Sequence, residues 1–189
     1  IYENYIPAVP FIYEKNFISI FNELLEQYHI DYIIPVHDSM ALFLQEHASE
    51  IRSTVVSSCY ETALLCRYKS KTYKALEDKS FIPKVYDWQQ VMKFPVFIKK
   101  DDDQGARRAY RIDNQYELLR FKEHSDMIIC EYLPGEELTV DCFTDRHGSL
   151  RFCNARTRER ILAGITVHGR GVVPSQEVLF IATELHKEI

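Results

Sequence analysis

The chain has 189 residues, of which 46% are hydrophobic and 27% are charged, a balance typical of a globular protein with a substantial buried core. Its net charge of −5 gives no long-range attraction to nucleic acid or to an anionic membrane, so neither is expected as a partner. No apolar run approaches the roughly 20 residues that a membrane helix needs.

The first third of the chain alternates helices with short strands, which predicts a parallel sheet. Phe17, Phe21, Leu24 and Tyr28 recur at helical spacing, and Asp38 is predicted to cap the second helix. The predicted elements are a helix over 16–29, a strand over 32–36, a helix over 38–48 and a strand over 54–56.

The rest of the chain changes to strands and turns after one or two lysine-rich helices. Asp113 and Ser175 are predicted to cap helices, and residues 145–148 to form a tight hairpin turn. The predicted helices cover 59–78, 113–123 and 175–189, and the predicted strands cover 96–100, 109–112, 127–133, 137–145 and 150–160.

The cysteines and the first residues indicate a cytoplasmic protein. The five cysteines form no C-x-x-C pair, and three of them lie in apolar strand-like segments, which suits buried, reduced thiols. Residues 1–10 lack the basic flank and apolar run of a secretory signal. The histidines show no spacing typical of a metal site, so no residue of this chain is predicted to bind a metal.

One apolar strand ends in Lys99 and leads into a polar loop over 100–108. A cation fixed at a strand end beside a loop can hold the phosphates of a nucleotide while the loop closes over them. Three consecutive aspartates in this loop would repel a triphosphate unless a metal, or Arg107 and Arg108, offset them. The simpler alternative is a solvated acidic turn.

A second motif, over 128–141, predicts a strand, a Pro134-Gly135 turn and another strand. In this order, the two motifs resemble the ATP-binding cleft of the ATP-grasp ligases, with the carbamoyl-phosphate synthase large subunit as the best-known relative. The resemblance implies an adenine site at Glu131, Tyr132 and Leu133, a ribose-binding acid at Glu137, and phosphate contacts from Lys99, Gly105 and Arg107. The alternative is a plain β-hairpin with exposed acids.

Lys69 is a further phosphate-binding candidate. Residues 66–73 look like the family's Asp-Lys pair at a helix start, with Tyr68 in place of the aspartate. Lys71 is an alternative that would point elsewhere on the helix, and a solvated lysine-rich face would explain both.

Three arginines, Arg156, Arg158 and Arg160, alternate along one predicted strand and would therefore face the same side. Three guanidinium groups on one face are costly unless they meet an anion, so we predict that they stabilise a carboxylate, an acyl phosphate or the γ-phosphate. The segment also resembles the corresponding strand of carbamoyl-phosphate-synthase-like proteins. An edge strand protected by charge is the alternative.

The resemblance implies an α/β protein with a partial ATP-grasp fold. Residues 1–58 resemble the end of a parallel-sheet pre-ATP-grasp domain, and residues 59–189 resemble an ATP-grasp domain without its C-terminal metal-binding strands. A chain truncated at both ends is therefore expected. The implied cofactors are ATP and Mg²⁺, with the metal ligands expected outside this chain.

The implied activity is a carboxylate–amine or carboxylate–thiol ligase that works through an acyl phosphate. Its partners would be ATP and small-molecule carboxylate and amine substrates, whose identities the sequence does not give, and a homodimer stays open. The alternative function is a non-catalytic nucleotide-binding or interaction module that retains only the ATP cleft.

Overall fold

The structure is a computed structural model that describes residues 5–7, 9–91, 93–104, 108–162 and 164–189. It divides into two compact units, Ile1–Arg67 and Tyr68–Ile189.

The first unit alternates helices and strands around a small apolar core. Its elements are α1 (Phe17–Gln27), β1 (Tyr32–Ile33), α2 (Asp38–Glu46), β2 (Thr54–Val55) and α3 (Tyr60–Arg67). Strands β1 and β2 are parallel, which confirms the predicted direction. Phe17 and Leu44 are fully buried, and Phe17 stacks on Phe21 at a centroid distance of 5.0 Å. The predicted apolar face is therefore confirmed at Phe17 and Phe21, whereas Leu25 rather than Leu24 is the buried leucine and Tyr28 lies beyond the helix end and is 45% exposed.

Two predicted helix caps are wrong by one residue. Helix α2 is capped by His37, whose ring accepts a hydrogen bond from the Ser39 N–H, and Asp38 is already helical. Helix α5 (Gln115–Leu119) is capped by Asn114, which accepts from the Glu117 N–H, rather than by Asp113. In both cases a neighbouring polar side chain reaches the exposed N–H groups of the first turn instead.

The second unit holds the remaining elements. These are α4 (Lys69–Ala75), β3 (Val85–Tyr86), β4 (Val96–Lys100), β5 (Ala109–Ile112), α5, β6 (Met127–Glu131), β7 (Leu138–Thr144), β8 (Leu150–Thr157), β9 (Arg160–Leu162), β10 (Ile165–His168), β11 (Gly171–Val172) and α6 (Gln176–Glu188). Ser175 caps α6 as predicted, accepting a hydrogen bond from the Val178 N–H.

A four-stranded antiparallel sheet, in the order β3-β6-β4-β5, forms the first half of this unit. One face of this sheet closes a core around Val96, Ile98, Ile112, Leu118 and Ile129, each at most 3% exposed. Trp88 packs against the same core. We call this four-stranded sheet the first sheet.

A three-stranded antiparallel sheet, in the order β11-β8-β7, forms the second half, and we call it the second sheet. Strands β7 and β8 join through the predicted turn, where Gly148 has a φ of +73° and the Asp145 carboxylate accepts hydrogen bonds from the N–H groups of His147 and Ser149. Helix α6 packs against β7 and β8, with Ala155 and Ala182 buried. Strands β9 and β10 form a separate hairpin.

The single strand predicted over 150–160 is wrong in its last part. Strand β8 ends at Thr157, and a new strand begins at Arg160. The reason is pairing: β8 is held by β7 and β11, whereas β9 pairs only with β10. The three arginines of this segment therefore do not share one strand face.

None of the helices formed by the described residues combines the length and the apolar character that crossing a bilayer requires.

Candidate functional site

Lys99 lies on the face of the first sheet that is turned away from the core. Along β4, Val96 and Ile98 are buried, whereas Phe97 and Lys99 are half-buried. The register places Ile128 directly opposite Lys99, so the two side chains share a face. The strand that ends in a lysine, predicted from the sequence, is thus present with its lysine outside the core.

The ammonium group of Lys99 is held by an aromatic hydroxyl. Its Nζ lies 2.6 Å from the Tyr73 hydroxyl and 5.1 Å from the centroid of the same ring. The Phe97 ring lies 5.9 Å away. Within the described part of the chain, no carboxylate lies at ion-pair distance from Lys99. The half-buried cation is therefore positioned by neutral groups, which leaves its charge available to an anion.

Lys69 begins the helix that carries Tyr73, one helical turn before it. Its Nζ donates to the backbone carbonyls of Asp101 and Asp103, at 2.9 and 2.8 Å. These carbonyls belong to the loop that follows Lys99 along the chain. Helix α4 therefore brings Lys69 and Lys99 to the same corner of the first sheet.

Each of the three loop aspartates has a partner of its own. Asp101 accepts hydrogen bonds from the N–H and hydroxyl groups of Ser70, at 2.8 and 2.7 Å. Asp102 pairs with Lys100 at 3.1 Å. Asp103 pairs with Arg108 at 3.0 Å, and this guanidinium lowers the pKa of the Asp103 carboxyl. Two of the aspartates are thus neutralised by basic side chains of the loop itself, which reduces the repulsion expected for a triphosphate.

Two predicted phosphate contacts, Gly105 and Arg107, lie outside the described residues.

A groove of about 640 Å³ adjoins this corner. It runs between α4 and the β3-β6 side of the first sheet, and its lining includes Ser70, Tyr73, Tyr86, Trp88 and Ile128. A volume of this size is in the range of small-molecule sites. Tyr73 therefore both lines the groove and holds Lys99.

The predicted adenine-binding connection lies at the end of β6. The Glu131 N–H donates to the Lys84 carbonyl at 2.8 Å, and the Glu131 carboxylate accepts from the Lys84 N–H at 3.3 Å. The backbones of Tyr132 and Leu133 lie beyond the strand and find no backbone partner among the described residues. Leu133 is 59% exposed. The backbone of this connection therefore has no backbone hydrogen bond among the described residues, next to an exposed leucine side chain.

Arg111 orients the Tyr132 ring. Its guanidinium carbon lies 4.8 Å from the ring centroid, and its Nε donates to Asp113 at 2.8 Å. Arg111 is opposite Phe97 in the β4-β5 register, on the same face as Lys99. A cation–π contact of this kind fixes the ring beside the peptide groups of this connection.

Glu137, the predicted ribose-binding acid, pairs with Arg158. The same guanidinium donates to the Thr166 hydroxyl at 2.9 Å and to the Gly164 carbonyl at 2.7 Å. Glu137 is 63% exposed, whereas Arg158 is 17% exposed. A carboxylate has about four lone-pair positions, so this pairing leaves Glu137 able to accept hydroxyl hydrogens.

The other two predicted catalytic arginines differ from each other. Arg156 pairs with Asp141 at 2.9 Å on the second sheet. Arg160 is exposed, and no carboxylate of the described chain lies within ion-pair distance of it. The structure thus joins Glu137 with Arg158 and joins Arg156 with a different acid.

Sequence reasoning missed the two side chains that position the predicted residues, Tyr73 and Arg111. Tyr73 could have been found from its spacing, because it follows Lys69 by four residues on a helix and so shares its face. The position of Arg111 opposite Phe97 depends on the register between β4 and β5, and this register leaves no recognisable pattern in the sequence.

Comparison with known proteins gives a fold but no family. No protein-family model matches the chain, and no curated protein matches it. The biotin carboxylase domain of 2-oxoglutarate carboxylase from Hydrogenobacter thermophilus is similar over 90% of this chain and 44% of its own, with 13% identity and a TM-score of 0.69. That structure is a complex with MgADP, ADP and bicarbonate.

Two ligases are also similar. L-amino acid ligase from Bacillus licheniformis matches 94% of this chain and 46% of its own, with 12% identity and a TM-score of 0.64. D-alanine–D-alanine ligase from Bacillus anthracis matches 87% of this chain and 63% of its own, with 15% identity and a TM-score of 0.58.

These likenesses confirm the predicted fold class, a partial ATP-grasp fold. The chain spans less than half the length of the first two proteins.

Proposed function

We propose that this chain binds ATP in an ATP-grasp cleft and belongs to a carboxylate–amine or carboxylate–thiol ligase. The observation that carries the proposal is Lys99, a half-buried cation that the described chain provides with neutral partners and no carboxylate. A site of this kind favours a polyanionic ligand such as the phosphates of a nucleotide. The shared fold with an ADP-bound structure supports the same ligand.

The nucleotide would contact four places. Lys69 and Lys99 would neutralise phosphates, the peptide groups of Tyr132 and Leu133 would pair with the adenine edge after the Glu131 strand end, and Glu137 would accept the ribose hydroxyls. The backbone of Leu133, which makes no hydrogen bond to another backbone group of the described chain, and the exposed carboxylate of Glu137 support these roles. Gly105 and Arg107 remain proposed phosphate contacts from the family resemblance alone.

In the proposed reaction the γ-phosphoryl group passes from ATP to a substrate carboxylate and ADP leaves, and an amine or thiol then attacks the acyl carbon, displaces inorganic phosphate and loses its proton. The proposed reaction requires no covalent nucleophile from this chain, because its catalysis rests on positioning and electrostatic stabilisation. Of the three arginines proposed for the acyl-phosphate charge, Arg160 is the strongest candidate, since Arg156 and Arg158 are already paired with carboxylates.

Mg²⁺ is the metal that the resemblance implies beside ATP. Among the described residues, no group of three or more His, Cys, Asp or Glu side chains is placed to hold a metal ion, and we propose that the magnesium ligands lie outside these residues. No step of the proposed reaction is assigned to a metal held by them.

The finer assignment that we propose is a carbamoyl-phosphate-synthase-like ligase. In this proposal residues 1–58 are the end of a pre-ATP-grasp domain and residues 59–189 belong to the ATP-grasp domain. The parallel pairing of β1 and β2 supports the first assignment. The identities of the carboxylate and of the nucleophile are left to experiment, and the protein is proposed to act in the cytoplasm.

Calorimetric titration of the purified protein with ADP and ATP tests the binding step. Lys99→Ala is expected to weaken nucleotide affinity about tenfold to a hundredfold, because it removes a charged contact to phosphate. Lys122→Ala is the matched control, since Lys122 is exposed in the same unit, and it should change the affinity less than about twofold. Unchanged affinity in both Lys99→Ala and Glu137→Ala would refute the cleft.

Phosphate release from ATP, measured with a panel of carboxylates and amines, tests the ligase step. Release that requires both substrates supports the ligase. Nucleotide binding with no turnover across the panel would instead support a non-catalytic nucleotide-binding module.

A further inference from the structure

Two cysteines face each other directly across the second sheet. In the β7-β8 ladder Cys142 is the register partner of Cys153. The neighbouring pairs, Asp141 with Asn154 and Phe143 with Phe152, are also in register, and the irregularity of the ladder begins only beyond Phe143. The two thiols therefore lie on the same face of a regular part of the hairpin.

This arrangement suits a disulfide bond. Residues directly opposite in an antiparallel pair have Cα atoms about 4.5 or 5.5 Å apart, and disulfides span Cα distances of about 4.4–6.8 Å. The Cβ atoms of such pairs lie about 4.5–5.5 Å apart, slightly more than the roughly 3.5–4.5 Å of a relaxed bridge. A bridge here would need a small adjustment of the strands, and disulfides formed under strain are more easily reduced.

The two thiols already interact. Partial desolvation, together with the neighbouring Cys153 thiol, raises the pKa of the Cys142 thiol, so the thiolate that starts the exchange is a smaller fraction at neutral pH and the exchange should become faster as the pH rises. Cys142 is exposed and Cys153 is half-buried, so a small oxidant can reach the first of them. This corrects the expectation of buried thiols in the strands, which holds only for Cys130.

The remaining cysteines are placed differently. Cys130 is buried in the first sheet, and Cys59 and Cys66 belong to the first unit. Within the second unit, Cys142 and Cys153 are thus the two cysteines that pair by register and are open to solvent in part.

We propose that Cys142 and Cys153 form a reversible dithiol–disulfide pair that bridges β7 and β8. With a small-molecule disulfide as the oxidant, the Cys142 thiolate attacks one of its sulfur atoms and releases one thiolate. The Cys153 sulfur then attacks the mixed disulfide at Cys142 and releases the second. Two protein thiols lose two electrons to the oxidant, and their two protons end on the two small-molecule thiols that leave.

Mass spectrometry after treatment with oxidised glutathione tests this pair. The folded protein is equilibrated with oxidised glutathione, its remaining thiols are alkylated in denaturant, and it is digested with trypsin. Because Arg146 and Arg151 lie between the two cysteines, trypsin separates them into different peptides, and a second digestion with Glu-C, which cleaves after Glu131, Glu136 or Glu137, separates Cys130 from the Cys142 peptide. The expected product is one linked species that contains both peptides and has lost two hydrogens, and dithiothreitol should return the separate peptides.

Two variants and one condition serve as controls. Cys153→Ser is expected to stop at a glutathione adduct on Cys142, whereas Cys59→Ser should leave the linked species unchanged. The same oxidation in denaturant should distribute Cys142 among several cysteines, because the register is lost. The proposal is overturned if the folded wild-type protein yields only separate glutathione adducts, or if Cys142 pairs with Cys59 or Cys66 as often as with Cys153.

Discussion

The two sheets of the second unit differ in how much apolar surface they expose and in the partners of the basic residues considered above. The first sheet closes its core around Val96, Ile98 and Ile129, and one of its cations, Lys99, has only neutral partners in the described chain, whereas its Lys100 and Arg111 are paired with acids. The second sheet leaves Phe143 and Phe152 59% and 50% exposed, while two of its arginines are paired with acids.

This difference teaches which basic residues are available to a ligand. A row of arginines suggests an anion site from the sequence, yet two of the three have carboxylate partners of their own. A single lysine at a strand end is a weaker pattern, yet its partners are a hydroxyl and two aromatic rings. The groups that contact a basic residue therefore identify the anion-binding candidate better than the number of basic residues does.

The largest effect is expected from the closed core. Ile98→Ala should lower the free energy of unfolding by about 2–5 kcal/mol, because Ile98 is 0% exposed and its removal leaves a cavity. Phe152→Ala, on the half-exposed face of the second sheet, should cost about 1 kcal/mol or less. Urea unfolding followed by fluorescence measures both, since Trp88 is the single tryptophan and packs on the first core.

A Phe152→Ala variant as destabilised as Ile98→Ala would break the contrast between the sheets. It would mean that the apolar face around Phe152 is covered in the protein measured.

A smaller loss is expected from Arg158, which follows strand β8 and is paired with an acid. Arg158→Ala removes hydrogen bonds to Thr166 and Gly164 and the pairing with Glu137, and should destabilise the protein by about 1–3 kcal/mol. Arg160→Ala is the matched control and should stay within about 0.5 kcal/mol of wild type. Urea unfolding monitored by circular dichroism gives both values.

A double-mutant cycle of Glu137→Gln with Arg158→Ala isolates the ion pair. Its coupling should be no more than about 1 kcal/mol, because Glu137 is 63% exposed and water screens the pair. Equal losses for Arg158→Ala and Arg160→Ala would remove the distinction between paired and available arginines.

The hydroxyl that holds Lys99 should have a measurable but modest effect. Tyr73→Phe keeps the aromatic ring and removes the hydrogen-bond partner of the ammonium group, so stability should fall by about 0.5–1.5 kcal/mol. Tyr116→Phe is the control, because Tyr116 is 84% exposed, and it should be neutral within about 0.5 kcal/mol. If both variants behave alike in urea unfolding, the hydroxyl does not position Lys99.

Local sequence patterns predicted much of the fold. The remainder depends on strand register, which local patterns do not show. The strand over 96–100 and the cap at Ser175 follow from alternation and from side-chain chemistry, and the structure confirms both. The order of the lysine strand and the following hairpin predicted the ATP-grasp fold correctly. Strand β3 was missed because Val85 and Tyr86 lie between Lys84 and Asp87, outside any longer apolar run such as those around β1 and β2.

The site was less predictable because its partners come from distant parts of the chain. Arg156 meets Asp141 across a strand pair, and Arg158 meets Gly164 beyond the end of β8. The register and the strand end that create these contacts depend on pairing with β7 and β11. The residue types of the site could therefore be predicted from the sequence, whereas the distribution of charge within the site could not.

The loss of stability at acidic pH should be similar for carboxylates of the two sheets, and it is the smallest effect predicted. Arg151 and the Ser149 N–H lower the pKa of the Asp145 carboxyl in the second sheet, and Arg108 lowers that of Asp103 beside the first. A carboxyl whose folded pKa lies below its unfolded value of about 3.9 adds stability above that pH, and this stability is lost as the pH falls through the folded pKa. Urea unfolding between about pH 5 and pH 2 should therefore show a shallower loss of stability in Asp145→Asn and in Asp103→Asn than in wild type. If only one variant flattens the profile, the carboxylates of the two sheets are held unequally, and the contrast between the sheets extends to their acids as well as to their cations.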